Sequence, residues 1–203
     1  MNKAGLILHI EGTLCNTAHL HRQAWQITLN ELGLPVRDWD TSHMSSPQNP
    51  ENWLQDTGIE LSQAEQQALF PDESENYRQL LAVLTPDDLI PGIKRFLMNL
   101  RAKGICLAVV SFNRYAVLIL RRLGLESCFD AIVDGNSPIE DMGHACLQAC
   151  ACMDCLPEHT LVWETTQQYI ASEKQAGLSV FFGSQAEVEE KLLASLALCN
   201  ERA

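Results

Sequence analysis

The sequence predicts an α/β protein, a parallel sheet with helices on both faces, interrupted near its start by an all-helical segment. Three observations predict it. A short apolar run, Ala4 to Ile10, stops abruptly at Glu11-Gly12-Thr13. Residues 17–84 then read as helix without a strand among them. From Pro91-Gly92 onward, short apolar runs alternate regularly with helical stretches. Near-continuous apolarity over so few residues is the mark of a strand buried on both faces. Alternation of such strands with helices implies parallel pairing through helical crossovers.

Taken in order, the first strand covers about residues 4–10 and a helix about 17–32, stopped by Gly33 and Pro35. Residues 36–52, polar and punctuated by Pro47 and Pro50, read as a loop with room for a short helix. Two helical stretches follow, near 62–70 and 73–84. Beyond Pro86 the pattern gives helix 92–103 ending at Gly104, strand 105–110, helix 114–123 ending at Gly124 and strand 130–134. Helix 139–153, strand 160–163, helix 166–176 ending at Gly177, strand 179–182 and a last helix at 185–198 complete the series. The expected division is a core of residues 1–15 and 86–203 with a helical cap at 16–85.

Composition narrows the function. A net charge of −12 repels phosphate backbones, and no Lys/Arg-rich stripe offsets it, which argues against nucleic acid. No apolar run approaches the roughly 20 residues of a membrane helix. The first apolar stretch is too short for a signal-peptide core, so the expectation is a cytoplasmic protein. The eight cysteines are then expected as thiols. Four of them, Cys146, Cys150, Cys152 and Cys155, crowd one segment and suggest a zinc or redox site. Helical geometry opposes that, because residues 152 and 155 lie roughly 240° and 180° around a helix from Cys146, at about 100° per residue. Packing as small hydrophobes is the expected role.

Several segments together resemble the β-phosphoglucomutase branch of the haloacid dehalogenase superfamily. They are Glu11-Gly12-Thr13-Leu14, Ala18 to Trp25, Asn76-Tyr77, Pro91-Gly92, Ser111, Cys128-Phe-Asp-Ala131 and Val162-Trp-Glu164. The resemblance implies a Rossmann-like core with an inserted cap, and chemistry at the carboxyl ends of the strands. It also implies an aspartate nucleophile after strand one and a second aspartate as general acid and base two residues later. A Ser or Thr and a Lys would hold phosphate, and acidic residues after strand four would hold Mg²⁺.

Position by position, that machinery is missing. His9 stands at the nucleophile, Glu11 at the second aspartate, Ser137 at the Lys, and Glu164-Thr165 at the acidic pair. Ser111 is retained, and with Asn113 and Arg114 it could bind an anion. His21 matches a cap histidine of the resemblance, while Trp25 is expected in the core. The cap stretches Met44–Gln48 and Asp72–Glu75 contain no Lys or Arg to grip a second phosphate. Mg²⁺ selects hard oxygen ligands, so Glu164 is at most a weak metal ligand and no cofactor is expected.

His9 is expected as a neutral imidazole satisfied by its neighbours. Two sharper roles stand against that: a substitute nucleophile, or a ligand with Glu164 and Glu11 for an ion such as Zn²⁺. The expectation is a pseudoenzyme that binds a protein partner or a small anionic metabolite. The alternative is a working phosphatase or phosphosugar mutase rewired around His9 and Glu11.

Overall fold

The computed structural model describes residues 3–34, 61–165 and 167–200. The expected 36–52 loop, with its Met44–Gln48 stretch, lies outside these residues. The chain divides into two compact units, Met1–Cys15 with Thr85–Ala203, and Asn16–Leu84.

The first unit is built on five parallel strands in the order β3-β2-β1-β4-β5. They are β1 (Gly5–Leu8), β2 (Cys106–Val110), β3 (Ala131–Val133), β4 (Thr160–Glu164) and β5 (Ser179–Phe182). Helices α3 (Ile93–Ala102), α4 (Ala116–Arg122), α5 (Met142–Met153), α6 (Ile170–Gln175) and α7 (Gln185–Asn200) connect or follow them. β1 is central, in register with β2 through Leu8↔Val109 and with β4 through Leu8↔Trp163. Every side chain of β1 and β4 is buried, as expected of strands covered on both faces. One core cluster joins Ile7, Val110, Val133 and Val162 to the inner face of α5, including Cys146 and Cys150.

Two glycines set the spacing around the carboxyl ends of the strands. Gly12 has φ +80°, and a Cβ there would fall 2.5 Å from the Thr165 hydroxyl, so the β1 and β4 loops touch only because residue 12 has no side chain. Gly143 on α5 lets the backbone of α6 approach, since a Cβ would fall 2.4 Å from the Ser172 carbonyl oxygen. That close contact fixes the helix carrying Glu173.

The second unit holds α1 (Ala18–Glu31) and α2 (Gln63–Leu80), followed by a 3₁₀ turn, Leu81–Val83. The sequence predicts two helices here, 62–70 and 73–84, but one helix runs through Pro71. Proline inside a helix removes a backbone donor and clashes with the preceding turn. Packing on both sides of it overrides the break. Phe70 meets Trp25 edge-on at 5.8 Å, and the buried Tyr77 stacks on His21 at 3.5 Å. A capping box between Ser62 and Glu65 secures the helix start. Trp25 is buried at 1% exposure, in the core as expected.

The first strand is shorter than its apolar run, ending at Leu8. Helix 166–176 likewise contracts to Ile170–Gln175, leaving a bend after β4 that carries Tyr169 toward the site.

Candidate functional site

Three strands converge on the site. His9 follows β1, Ser111 follows β2, and Glu164 closes β4. His9 is buried, with its Nδ1–H donating to the Val110 carbonyl oxygen at 3.0 Å. That oxygen can only accept, so the proton on Nδ1 is assigned by its partner. Nε2 points into two carboxyl groups, Glu164 Oε1 at 2.7 Å and Glu173 Oε1 at 3.3 Å. Glu173 is 0% exposed and Glu164 1%. Tyr169 (6.1 Å between ring centroids) tilts over His9, and Phe112 packs on Tyr169 at 6.2 Å.

A neutral imidazole does not fit these surroundings, and that expectation is corrected. Burial pulls the His9 pKa down, but hydrogen bonds and charge from Glu164 and Glu173 overcome it and push it up to about 10. His9 is an imidazolium. Burial raises the Glu173 carboxyl; His9 opposes this, and the charge of Glu164 adds to it. The cluster is a buried cation between two carboxyl groups, one of which resists ionisation.

Thr165 ties the two loops together through its hydroxyl and its backbone N–H. The Thr165 hydroxyl donates to the Glu11 backbone carbonyl at 3.3 Å, and its backbone N–H donates to Glu164 Oε2 at 3.1 Å. Thr13 donates its hydroxyl to the His9 carbonyl oxygen. These contacts hold the β1 and β4 loops together.

Mg²⁺, which the resemblance implies, does not suit these residues. It needs near-octahedral oxygen ligation and keeps several waters. Here the donors are one imidazole nitrogen and two buried carboxyl groups, and the Thr165 hydroxyl is turned to a backbone carbonyl.

The expected anion site is partly committed to its own loop. Ser111 Oγ accepts from the Asn113 N–H at 3.1 Å, and Asn113 Oδ1 accepts from the Tyr115 N–H at 2.8 Å. Arg114 is exposed. Ser137 closes a turn by donating its N–H to the Asp134 carbonyl at 2.9 Å. In the second unit, His21 Nδ1 lies 3.1 Å from Glu73 Oε1. Glu73 belongs to the Asp72–Glu75 stretch, so part of that stretch pairs with this histidine instead of forming only solvated surface.

Among the described residues, the clustered cysteines do not form a metal group with one another. Cys146 and Cys150 face the core, Cys155 is buried and Cys152 is exposed. Burial pushes the Cys146 thiol up, and the charge of Glu173 adds to it; burial and Cys106 push Cys155 up to about 12. Alkylation of the folded protein should therefore modify Cys152 first, with Cys146 and Cys150 reacting only on unfolding. Peptide mass spectrometry reads this, and equal early labelling of Cys146 would contradict the packing.

Glu173 and Tyr169 are absent from the sequence-based expectation. A signal existed: with Ile170 and Ala176 they occupy positions i, i+1, i+4 and i+7 of a helical stripe, where an acid stands out.

The sequence pattern of haloacid dehalogenase-like hydrolases matches residues 10–162. The chain belongs to that family, in its β-phosphoglucomutase-like branch. It is 32% identical to β-phosphoglucomutase of Bacillus subtilis (strain 168) over 183 residues, covering 85% of this chain and 80% of that protein. With a fructose-1-phosphate phosphatase of Escherichia coli (strain K12) it shares 28% identity over 184 residues, 86% of this chain and 93% of the relative. Its fold is similar to that of a β-phosphoglucomutase from Clostridium difficile, with a TM-score of 0.71 at 20% identity, covering 92% of this chain and 87% of the other. The stretch matched by the family pattern begins just after His9 and ends before Glu164, so that match includes neither position.

Proposed function

We propose that this chain is a non-catalytic member of its family, a binding or regulatory protein that uses the fold without aspartyl-phosphate chemistry. One observation carries the reading: both ring nitrogens of His9 are committed. Nδ1–H serves the Val110 carbonyl, and Nε2 lies between the Glu164 and Glu173 carboxyl groups. A nucleophile needs a lone pair aimed at phosphorus, and an imidazolium held in this way has none to offer. The Tyr169 ring packs near the same imidazole, 6.1 Å between centroids.

The other substitutions support the same reading. Ser137 supplies no positive charge to a phosphate, and Thr165 supplies no negative charge to a metal. Removing one such stabilising group typically costs about 10²–10³-fold in rate. The ligand expected of such a protein is a partner protein or a small anion, for which Arg114, three residues past Ser111 in sequence, is an exposed cation.

The test is release of product from an aryl phosphate with Mg²⁺, and separately with Zn²⁺ or Mn²⁺. No turnover above the buffer blank is expected, and His9→Ala should change nothing. Substantial wild-type turnover that collapses in His9→Ala would make His9 a working catalytic group and end this reading.

A further inference from the structure

We propose that His9, Glu164 and Glu173 form a site for a borderline transition ion of the Zn²⁺ class, in place of the hard Mg²⁺ site the fold would otherwise hold. Donor placement carries this. His9 Nε2 and one carboxylate oxygen from each glutamate all lie within 4.8 Å of one another, and all three residues are buried. Among the described residues, no other group of three His, Cys, Asp or Glu side chains meets in this way. Zn²⁺ takes imidazole nitrogen at about 2.0–2.1 Å and carboxylate oxygen at about 2.0–2.2 Å. Tetrahedral ligands at that range stand roughly 3.3 Å apart. The His9–Glu173 pair, at 3.3 Å, already has this spacing, and the 2.7 Å His9–Glu164 pair must open slightly.

Two independent features point to a ligand. Metal-bound histidines almost always donate their other ring N–H to a carbonyl or carboxylate, which fixes the tautomer. His9 Nδ1 does so to Val110 at 3.0 Å, leaving Nε2 as the inward donor. Glu173 Oε2 is buried and meets no hydrogen-bond donor among the described residues, an expensive arrangement for a carboxyl oxygen. A neutral histidine with two carboxylates carries a charge of −2, which one divalent cation balances, so ion and imidazolium proton are alternative occupants of the same place. Imidazole and carboxylate suit Zn²⁺ or Co²⁺, whereas Mg²⁺ wants oxygen and retained water. The assignment does not depend on whether the chain turns over phosphate esters, because binding is read directly.

The probe is Co²⁺ added to the full chain under reducing conditions, followed by visible and near-ultraviolet absorption, with Zn²⁺ uptake by elemental analysis. The expected result is about one ion per chain with weak visible ligand-field bands. No thiolate charge-transfer band should appear. Glu173→Gln and His9→Gln should each weaken binding by at least about tenfold, the scale on which even supporting residues act. Mg²⁺ should leave the melting temperature unchanged. Should either variant fail to fold, X-ray absorption of the wild-type protein with Zn²⁺ still decides, and nitrogen and oxygen ligation including one imidazole is expected. Lack of Co²⁺ and Zn²⁺ uptake at micromolar concentration would overturn the proposal. So would a thiolate band, or binding indifferent to Glu173→Gln.

Discussion

His9→Asp, the substitution that restores a carboxylate at the nucleophile position, is expected to destabilise the protein and to yield no phosphatase. In the wild type the imidazolium lies between Glu164 and Glu173. The new aspartate would place three carboxyl groups in one buried cluster and remove its cation. Breaking a buried ion pair by removing one partner costs about 3–5 kcal/mol. At roughly 2–4 °C per kcal/mol for a chain of this size, the melting temperature should fall by about 6–20 °C. Glu173→Leu in the same chain should recover much of the loss, since it removes one of the crowded acids. Thermal denaturation of the two variants measures this, and a His9→Asp protein as stable as wild type would show that His9 is not the counter-charge. Activity requires more. Thr165→Asp would add a metal-binding acid and Ser137→Lys a phosphate-binding cation. Combined with His9→Asp, these should outperform the product of their separate effects, as residues acting as one unit do.

The second large effect is on stability against pH, measured with a chelator present so that the cluster is metal-free. The His9 pKa is raised to about 10 in the folded protein, against about 6.5 for a free imidazole. A raised pKa means that the folded state binds the proton more tightly than the unfolded state. The stabilisation is therefore complete below about pH 6.5 and lost as pH climbs toward about 10. Glu173 is also raised, by burial first, so its contribution likewise falls with rising pH. Denaturant unfolding between pH 6.5 and 10 should show a decline on the order of a few kcal/mol, much of it absent in His9→Gln. A wild-type stability flat across that window, or a variant that declines just as steeply, would remove the imidazolium from the account.

These effects mark where sequence reading succeeds and where it stops. Strand periodicity and glycine stops located the sheet, because a buried parallel strand is legible in four or five consecutive residues such as Cys106–Val110. His9 and Glu164 could be paired because both close strands, and strand ends in this fold point to one edge. Glu173 could not be placed that way. It arrives from a helix whose position depends on Gly143 admitting the α6 backbone, a tertiary contact with no local signature. Without Glu173, His9 read as neutral; with Glu173 and Glu164 both on Nε2, the sign of its charge changes. Pro71 erred in the opposite direction. The local rule ends a helix there, and packing of Phe70 and Tyr77 carries it through.

The strand order has a consequence for how the chain folds. β1 is made first but lies in the middle of the sheet, with partners that begin at Cys106 and Thr160. Pairings at such sequence separation must close long loops before any ladder bond repays the entropy, which makes folding slow. During synthesis, Gly5–Leu8 therefore remains an apolar segment without its ladder until α1 and α2 have already been made. The whole of the helical unit, Asn16–Leu84, is made before the first partner strand of β1. The sheet becomes continuous from β3 to β4 only once Trp163 can pair with Leu8, and the next residue made, Glu164, is the acid that β4 brings to His9.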